Sequence, residues 1–271
     1  MDDHAPACYA SLISNGMAII LKSAQDLKLM RKSGRLAQRL LNTLGEAATV
    51  GTTPRQLDAR ARRFLEEAGA KSPFLGKRGH GGPPFPAAIT VSVNEAVVHG
   101  IPSDIPFNNG DVVSLDVGTF LNGFIGDTAG TFGVGEVSPR AERLMRVTKE
   151  ALFIGIKQAT VGNRTGDIGW AIQNHIESHG YGVVKGLVGH GVGRSLWEEP
   201  NVPNYGTPGE GVKLKAGMVI AIEPMVNEGT DDVRQLADKW TYVTADGLLS
   251  AHYEHTIAIL TDGPEILTSD E

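Results

Sequence analysis

Residues 112–132 constrain this chain more than any other stretch. Two β-branched and aromatic runs, 112–121 and 124–132, flank Asn122-Gly123. Asn-Gly between such runs is the strongest short-range signal for a two-residue hairpin. With these as the turn residues, Leu121 faces Phe124 and Gly118 faces Asp127. Asp116 then shares a face with Gly118 and lies diagonal to Asp127, within side-chain reach. Two carboxylates therefore leave one face of an otherwise apolar strand pair. Like charges this close do not both stay ionised in a core without a cation. The alternative is a pair of solvated acids on a surface hairpin. The depletion of Asp in strands weighs against it.

Composition sets the frame for that hairpin. The chain has 271 residues, 41% of them hydrophobic, enough for one large domain or two small ones. The net charge is −6 and no Lys/Arg block stands out, so nucleic acid is not an expected partner. Cys8 is the single cysteine, which excludes an intrachain disulfide and a cysteine-based zinc site. The longest early apolar run, residues 17–21, is too short for a signal sequence or a membrane span. These features lead us to expect a cytoplasmic protein with no membrane association.

Residues 1–18 read as a variable extension, and residues 18–21 predict a short strand. Ser23 with Asp26 resembles a capping box. Leu27, Met30, Leu36, Leu40, Leu41 and Leu44 then form a helical stripe to about Ala48. Thr52-Thr53-Pro54 opens a second helix that ends at Gly69. A Gly/Pro loop at 79–86 precedes a strand at 89–93, a turn or bent strand at 94–99, and the hairpin. A long helix is predicted over 139–159. Another, capped by Thr165 or Asp167, runs to His179 and stops at Gly180. This second helix pair echoes the first. Leu29-Met30-Arg31 recurs as Leu144-Met145-Arg146, and Ala48-Thr49-Val50-Gly51 as Ala159-Thr160-Val161-Gly162. Two similar halves of helices plus hairpin follow. Strands are predicted at 218–226, 240–243 and 252–260, with Asp246-Gly247 turning the chain between the last two.

Three further residues join the two aspartates. His190 sits in a nest of glycines, Gly189-His190-Gly191-Val192-Gly193, where backbone can approach a ligand closely. Glu223 and Glu254 each sit in an apolar strand run, where an acid needs a partner or a metal. A lone glycine-flanked His or a lone strand acid means little; five such residues together do not read as coincidence. Four carboxylates and one imidazole suit Mn, Fe or Co, and zinc with less selectivity. Because carboxylates bridge, five side chains can hold two ions.

Together these motifs resemble those of the type I methionine aminopeptidases. The likeness runs from about residue 19 to 261. It rests on Ser92-Val93-Asn94-Glu95 leading to Val98-His99-Gly100-Ile101-Pro102, on Leu115-Asp116-Val117, and on Gly126-Asp127-Thr128. Gly189-His190-Gly191-Val192-Gly193-Arg194, Ile222-Glu223-Pro224-Met225 and Tyr253-Glu254-His255-Thr256 complete it. The resemblance implies an α+β pita-bread fold, two pseudo-symmetric halves around a dinuclear metal site, with residues 19–271 as one metallopeptidase catalytic domain. It implies that Asp116 chelates one divalent ion, that His190 and Glu223 hold the other, and that Asp127 and Glu254 bridge them. The implied reaction is removal of the initiator methionine from nascent chains whose second residue is small. In it, a water shared by the cations attacks the first peptide bond. Glu223 is implied as the proton shuttle, and His99, otherwise a turn histidine, as a group that contacts the substrate and assists proton transfer. The implied partners are the N-terminal methionines of nascent polypeptides, with room for a transient ribosome contact. We expect a monomer.

The sequence departs from that family at one motif position. Seven residues after His190 the family has a second histidine before Glu-Glu-Pro; here the residue is Trp197. An indole N–H donates a hydrogen bond but cannot accept one or carry charge. Losing a donor to a developing oxyanion costs about 10²–10³ in rate if nothing replaces it. Trp197 is thus expected to lower peptidase activity or reshape the pocket, or simply to pack in its loop. Trp240 matches the family's pocket tryptophan, and Phe85 is a candidate second aromatic. The loop at 77–84 looks longer than in relatives, and Lys77 and His80 receive no pocket role. Two other readings stand beside the leading one: a same-fold peptidase such as an X-Pro aminopeptidase, and a metal-binding protein with weak or no turnover.

Overall fold

The computed structural model describes residues 18–79 and 82–270. The extension expected at 1–18 lies outside the described residues except for Ala18, and so does His80. In chain order the helices are α1 (Ala24–Ala47), α2 (Pro54–Glu67), α3 (Pro139–Gln158) and α4 (Thr165–Ser178). The strands are β1 (Ile89–Val93), β2 (Ala96–Val98), β3 (Val112–Leu121), β4 (Phe124–Gly133), β5 (Gly182–Val183), β6 (Gly189–Gly191) and β7 (Glu198–Val202). They continue with β8 (Val219–Ile222), β9 (Met225–Asn227), β10 (Val233–Gln235), β11 (Tyr242–Thr244), β12 (Ser250–His252), β13 (Glu254–Leu260) and β14 (Gly263–Ile266).

The β3–β4 hairpin has the predicted register. Leu121 opposes Phe124, Gly118 opposes Asp127, and Asp116 opposes Ala129. Asn122 and Gly123 have φ of 54° and 82°, positive at both turn positions as the I′ turn requires. The hairpin is the start of an eight-stranded sheet ordered β1-β3-β4-β13-β8-β6-β7, with β14 paired to β13. The recorded pairings in it are antiparallel. Two three-stranded sheets, β10-β11-β2 and β12-β9-β5, flank it.

The first three helices start where the sequence says they should. Ser23 and Asp26 form a reciprocal capping box at α1, and Thr53 and Gln56 another at α2, with Pro54 in the first turn. At α4 the expected cap is different. Thr165 is already helical; Asp167 lies inside the first turn and accepts the Arg164 N–H at 2.7 Å. The apolar faces build two corresponding cores. Leu36, Leu40, Leu41 and Leu44 of α1 meet Leu57 and Leu65 of α2 and Val113, Leu115 and Val117 of β3. Leu144, Val147, Leu152 and Ile156 of α3 meet Ile168, Ile172 and Ile176 of α4 and Ile220, Ile222, Ile257 and Ile259 of the sheet. The internal repeat is thus a repeat of helix pairs on strands. Contact between α1 and β4 is close enough that a Cβ on Gly126 would stand 2.6 Å from the Gly34 backbone, so only glycine fits there.

Several predicted strands are corrected. Residues 18–21 form no strand: Ile20 and Leu21 are exposed, and the segment is tied down by the Lys22 N–H donating to the Gly217 carbonyl at 2.7 Å. The run 218–226 is two strands, β8 in the large sheet and β9 in a small one, broken at Glu223-Pro224. Pro224 has no N–H for the ladder, and the break frees Glu223 from regular pairing. The run 252–260 is likewise split at Tyr253 into β12 and β13. Trp240 precedes β11 rather than belonging to it. His190 lies in the short strand β6, not in a loop. Its flanking glycines serve strand contact: a Cβ on Gly189 would lie 2.4 Å from the Ala221 oxygen, and one on Gly191 2.2 Å from the Glu199 oxygen. Among the described residues, no helix is long and apolar enough to cross a membrane.

Candidate metal centre

Five adjacent strands of the large sheet each bring one ligand-type side chain to a common place. β3 supplies Asp116, β4 Asp127, β13 Glu254, the end of β8 Glu223, and β6 His190. All five line one cavity of about 310 Å³. Ligand atoms of Asp127, His190 and Glu254 all lie within 4.8 Å of one another. His190 Nε2 stands 3.5 Å from Glu223 Oε1 and 3.9 Å from Asp127 Oδ2.

The electrostatics of this cluster are unbalanced. Among the described residues, none of the four carboxylates pairs with a lysine or arginine. Oδ1 of Asp116, Oδ1 of Asp127 and Oε1 of Glu254 are buried without any hydrogen-bond partner. Burial raises the Asp116 carboxyl to about 7. Burial also raises Glu223, with the Asp116 charge adding to it. Asp127 and Glu254 are raised by burial first and by the neighbouring acids second. His190 is pushed down to about 4, chiefly by burial, and is neutral at pH 7. Its Nδ1–H donates to the Gly191 carbonyl at 2.9 Å, which leaves the Nε2 lone pair facing the acids. Buried acids that lack counter-charges and donors fit divalent cations, and the four-carboxylate, one-imidazole set suits Mn, Fe, Co or Zn.

An aromatic chamber adjoins the acids. Phe85 and Trp240 meet edge to face with centroids 5.2 Å apart, and the Trp240 indole N–H donates to the Pro83 carbonyl at 2.8 Å. His99 packs edge-on against Trp240 and Tyr242, at 6.4 and 6.1 Å. It holds φ of 59°, an uncommon backbone state for a non-glycine residue. Burial first, and His190 second, push His99 down to about 4. Trp197 stands on the same cavity's wall, 36% exposed.

Two residues here escaped the sequence reading. Lys77, given no pocket role, lines the cavity and holds its Nζ 4.4 Å from the Trp197 ring centroid. His252, read only as the start of a strand, is buried with Nε2 3.8 Å from Glu223 Oε2. Its spacing from Glu254 was the available signal, since residues two apart in extended chain face the same way.

Comparison with known proteins adds to this geometry. Residues 28–261 match the model of metallopeptidase family M24. The chain is similar to a methionine aminopeptidase of Clostridium perfringens, 51% identical over 250 residues that span 92% of this chain and 98% of that protein. It is similar in structure to the methionine aminopeptidase of Rickettsia prowazekii, with a TM-score of 0.90 and 39% identity over 93% of this chain and all of the other. A prolidase from Pyrococcus horikoshii shares the fold alone. That match has a TM-score of 0.75 and 24% identity, and covers 93% of this chain but 64% of the prolidase.

Proposed function

Since the chain belongs to metallopeptidase family M24 and has the pita-bread fold, we propose that it is a methionine aminopeptidase acting on nascent proteins whose second residue is small. The observation that carries this reading is the convergence of five ligand-type residues, one per strand, beside an aromatic chamber in the same cavity. Asp116, Asp127, His190, Glu223 and Glu254 would hold two divalent ions, with Asp127 and Glu254 as the shared ligands. When bound, such ions supply Lewis-acid catalysis, polarising an acyl oxygen and making a water molecule acidic near neutral pH.

The chain's own groups then divide the work. Phe85 and Trp240 take the methionine side chain, whose thioether favours aromatic edges. The Pro83 carbonyl fixes the Trp240 ring, so the pocket is set before substrate arrives. His99, neutral at pH 7, exchanges a hydrogen bond with the substrate near the scissile amide. A Glu223 oxygen accepts a proton and returns it to the leaving amine. His252 stands against Glu223 Oε2, while His190 stands against Oε1. Trp197 faces the substrate beyond the scissile bond, where its indole N–H is a donor that cannot ionise. The same reading takes the protein as cytoplasmic and monomeric, with one catalytic domain over residues 19–271 and room for a transient ribosome contact.

A cleavage panel tests the substrate class. Met-Ala-Ser should release methionine, and Ala-Pro peptides should remain intact. Cleavage of Ala-Pro with Met-Ala-Ser untouched would transfer the protein to the X-Pro-cleaving branch of the fold.

A further inference from the structure

A second cluster of metal-ligand side chains lies outside the large sheet, where α3 packs on α4. Glu150 comes from the middle of α3. His175 comes from the last turn of α4, and His179 caps that helix one turn later. One ligand atom from each of the three lies within 4.8 Å of the others. The imidazole rings sit with centroids 4.5 Å apart. His175 Nε2 stands 3.4 Å from Glu150 Oε2, yet it is buried without a hydrogen-bond partner.

From this geometry we infer a surface site for one borderline divalent transition ion of the zinc class, held by His175, His179 and Glu150. Three details of the local chemistry support it. Histidines four apart on a helix share a face, and a carboxylate from a second helix completes a His₂Glu set of the kind that binds zinc with water in the remaining position. The His179 Nδ1–H donates to the His175 carbonyl at 2.8 Å, which leaves Nε2 as the lone-pair nitrogen, the usual arrangement for an oriented metal ligand. The Arg146 guanidinium bonds Glu150 Oε1 at 2.9 Å, leaving Oε2 as the oxygen turned to His175.

The charges around the site are mixed. Arg146 and Arg143, whose guanidinium bonds the His179 carbonyl at 3.0 Å, oppose a cation. Glu150 favours one, and its carboxyl is held low chiefly by the Arg146 hydrogen bond. Burial, then His179, holds His175 below its ordinary range. Two imidazoles and one carboxylate select zinc, copper or nickel over magnesium or calcium. An ion here would clamp α3 to α4.

The test is equilibrium dialysis of the full-length protein against micromolar zinc chloride at neutral pH, with bound zinc counted by atomic absorption. His179→Ala and Glu150→Gln should each bind one equivalent less than the wild type, while methionine release is unchanged. Equal stoichiometry in wild type and both variants would overturn the site. A second measurement needs no variant. Diethylpyrocarbonate should modify His175 and His179 of the wild type more slowly when zinc is present, as read by peptide mapping. Equal rates with and without zinc would also overturn it.

Discussion

Replacing Asp116 by asparagine should make the metal-free protein more stable while weakening its hold on metal. The reasoning starts from the carboxyl, which burial raises from 3.8 to about 7. A carboxyl whose pKa is higher in the folded chain than in the unfolded one binds more protons when folded. Stability is then highest below the unfolded value near 4, and it falls as pH rises through 7. At about 1.4 kcal/mol per pH unit, the Asp116 site alone removes roughly 4 kcal/mol between pH 4 and pH 8. Asparagine carries no charge at either pH, and it also relieves Asp127, Glu223 and Glu254 of a neighbouring charge that raises each of them. The assay is urea denaturation of chelator-treated wild type and Asp116→Asn at pH 5 and pH 8. The variant's advantage should be about 1–2 kcal/mol at pH 5 and grow to roughly 4 kcal/mol at pH 8. Saturating metal should reverse the order, since each of two ions at a hundred times its Kd adds about 2.7 kcal/mol to the form that binds it, together more than the variant's advantage. A variant no more stable than wild type at pH 8 without metal would refute the claim that these acids are held together against their own repulsion.

Other substitutions probe the remaining parts. Trp197→His should raise kcat/KM for Met-Ala-Ser by tenfold or more, up to about 10²–10³, if a donor suited to the developing charge is what the indole fails to supply; an unchanged value assigns Trp197 to packing. His99→Ala should lower kcat by about 10²-fold or more with circular dichroism unchanged; retention of full rate would return His99 to the status of a turn residue. Lys22→Met should cost about 3 kcal/mol in denaturant. It strands Glu198, whose half-buried carboxylate pairs with the buried Lys22 ammonium at 2.6 Å and also accepts the Arg194 and Ser195 amides of the loop that carries Trp197. Loss of less than 1 kcal/mol would show that those amides suffice.

The sequence made the hairpin, its register and the five acid and imidazole positions legible because each rests on local chemistry. Asn122-Gly123 fixes the turn, the period of two fixes the faces, and an acid inside an apolar run stands out without knowledge of the fold. Ser23, Thr53, Pro54 and Pro139 marked helix starts within a residue for the same reason. What was not legible depends on tertiary partners. The breaks at Pro224 and Tyr253 turn continuous apolar runs into strands of different sheets, a choice made by neighbours distant in sequence. The glycines around His190 looked like a ligand-approach loop; they are small because Ala221 and Glu199 backbone presses on them. Lys77 and His252 carry no motif of their own; Lys77 reaches the cavity wall and His252 reaches Glu223 only through tertiary packing.

The central claim is that Glu223 and bound metal together release N-terminal methionine. The most direct measurement is methionine release from Met-Ala-Ser under anaerobic conditions, with Fe(II), Mn(II), Co(II) or Zn(II), for wild type and Glu223→Ala. The account predicts turnover that requires added metal, vanishes with chelator and falls by at least 10²-fold in the variant. A folded wild type that releases no methionine in any metal, or a variant as fast as the wild type, would contradict it.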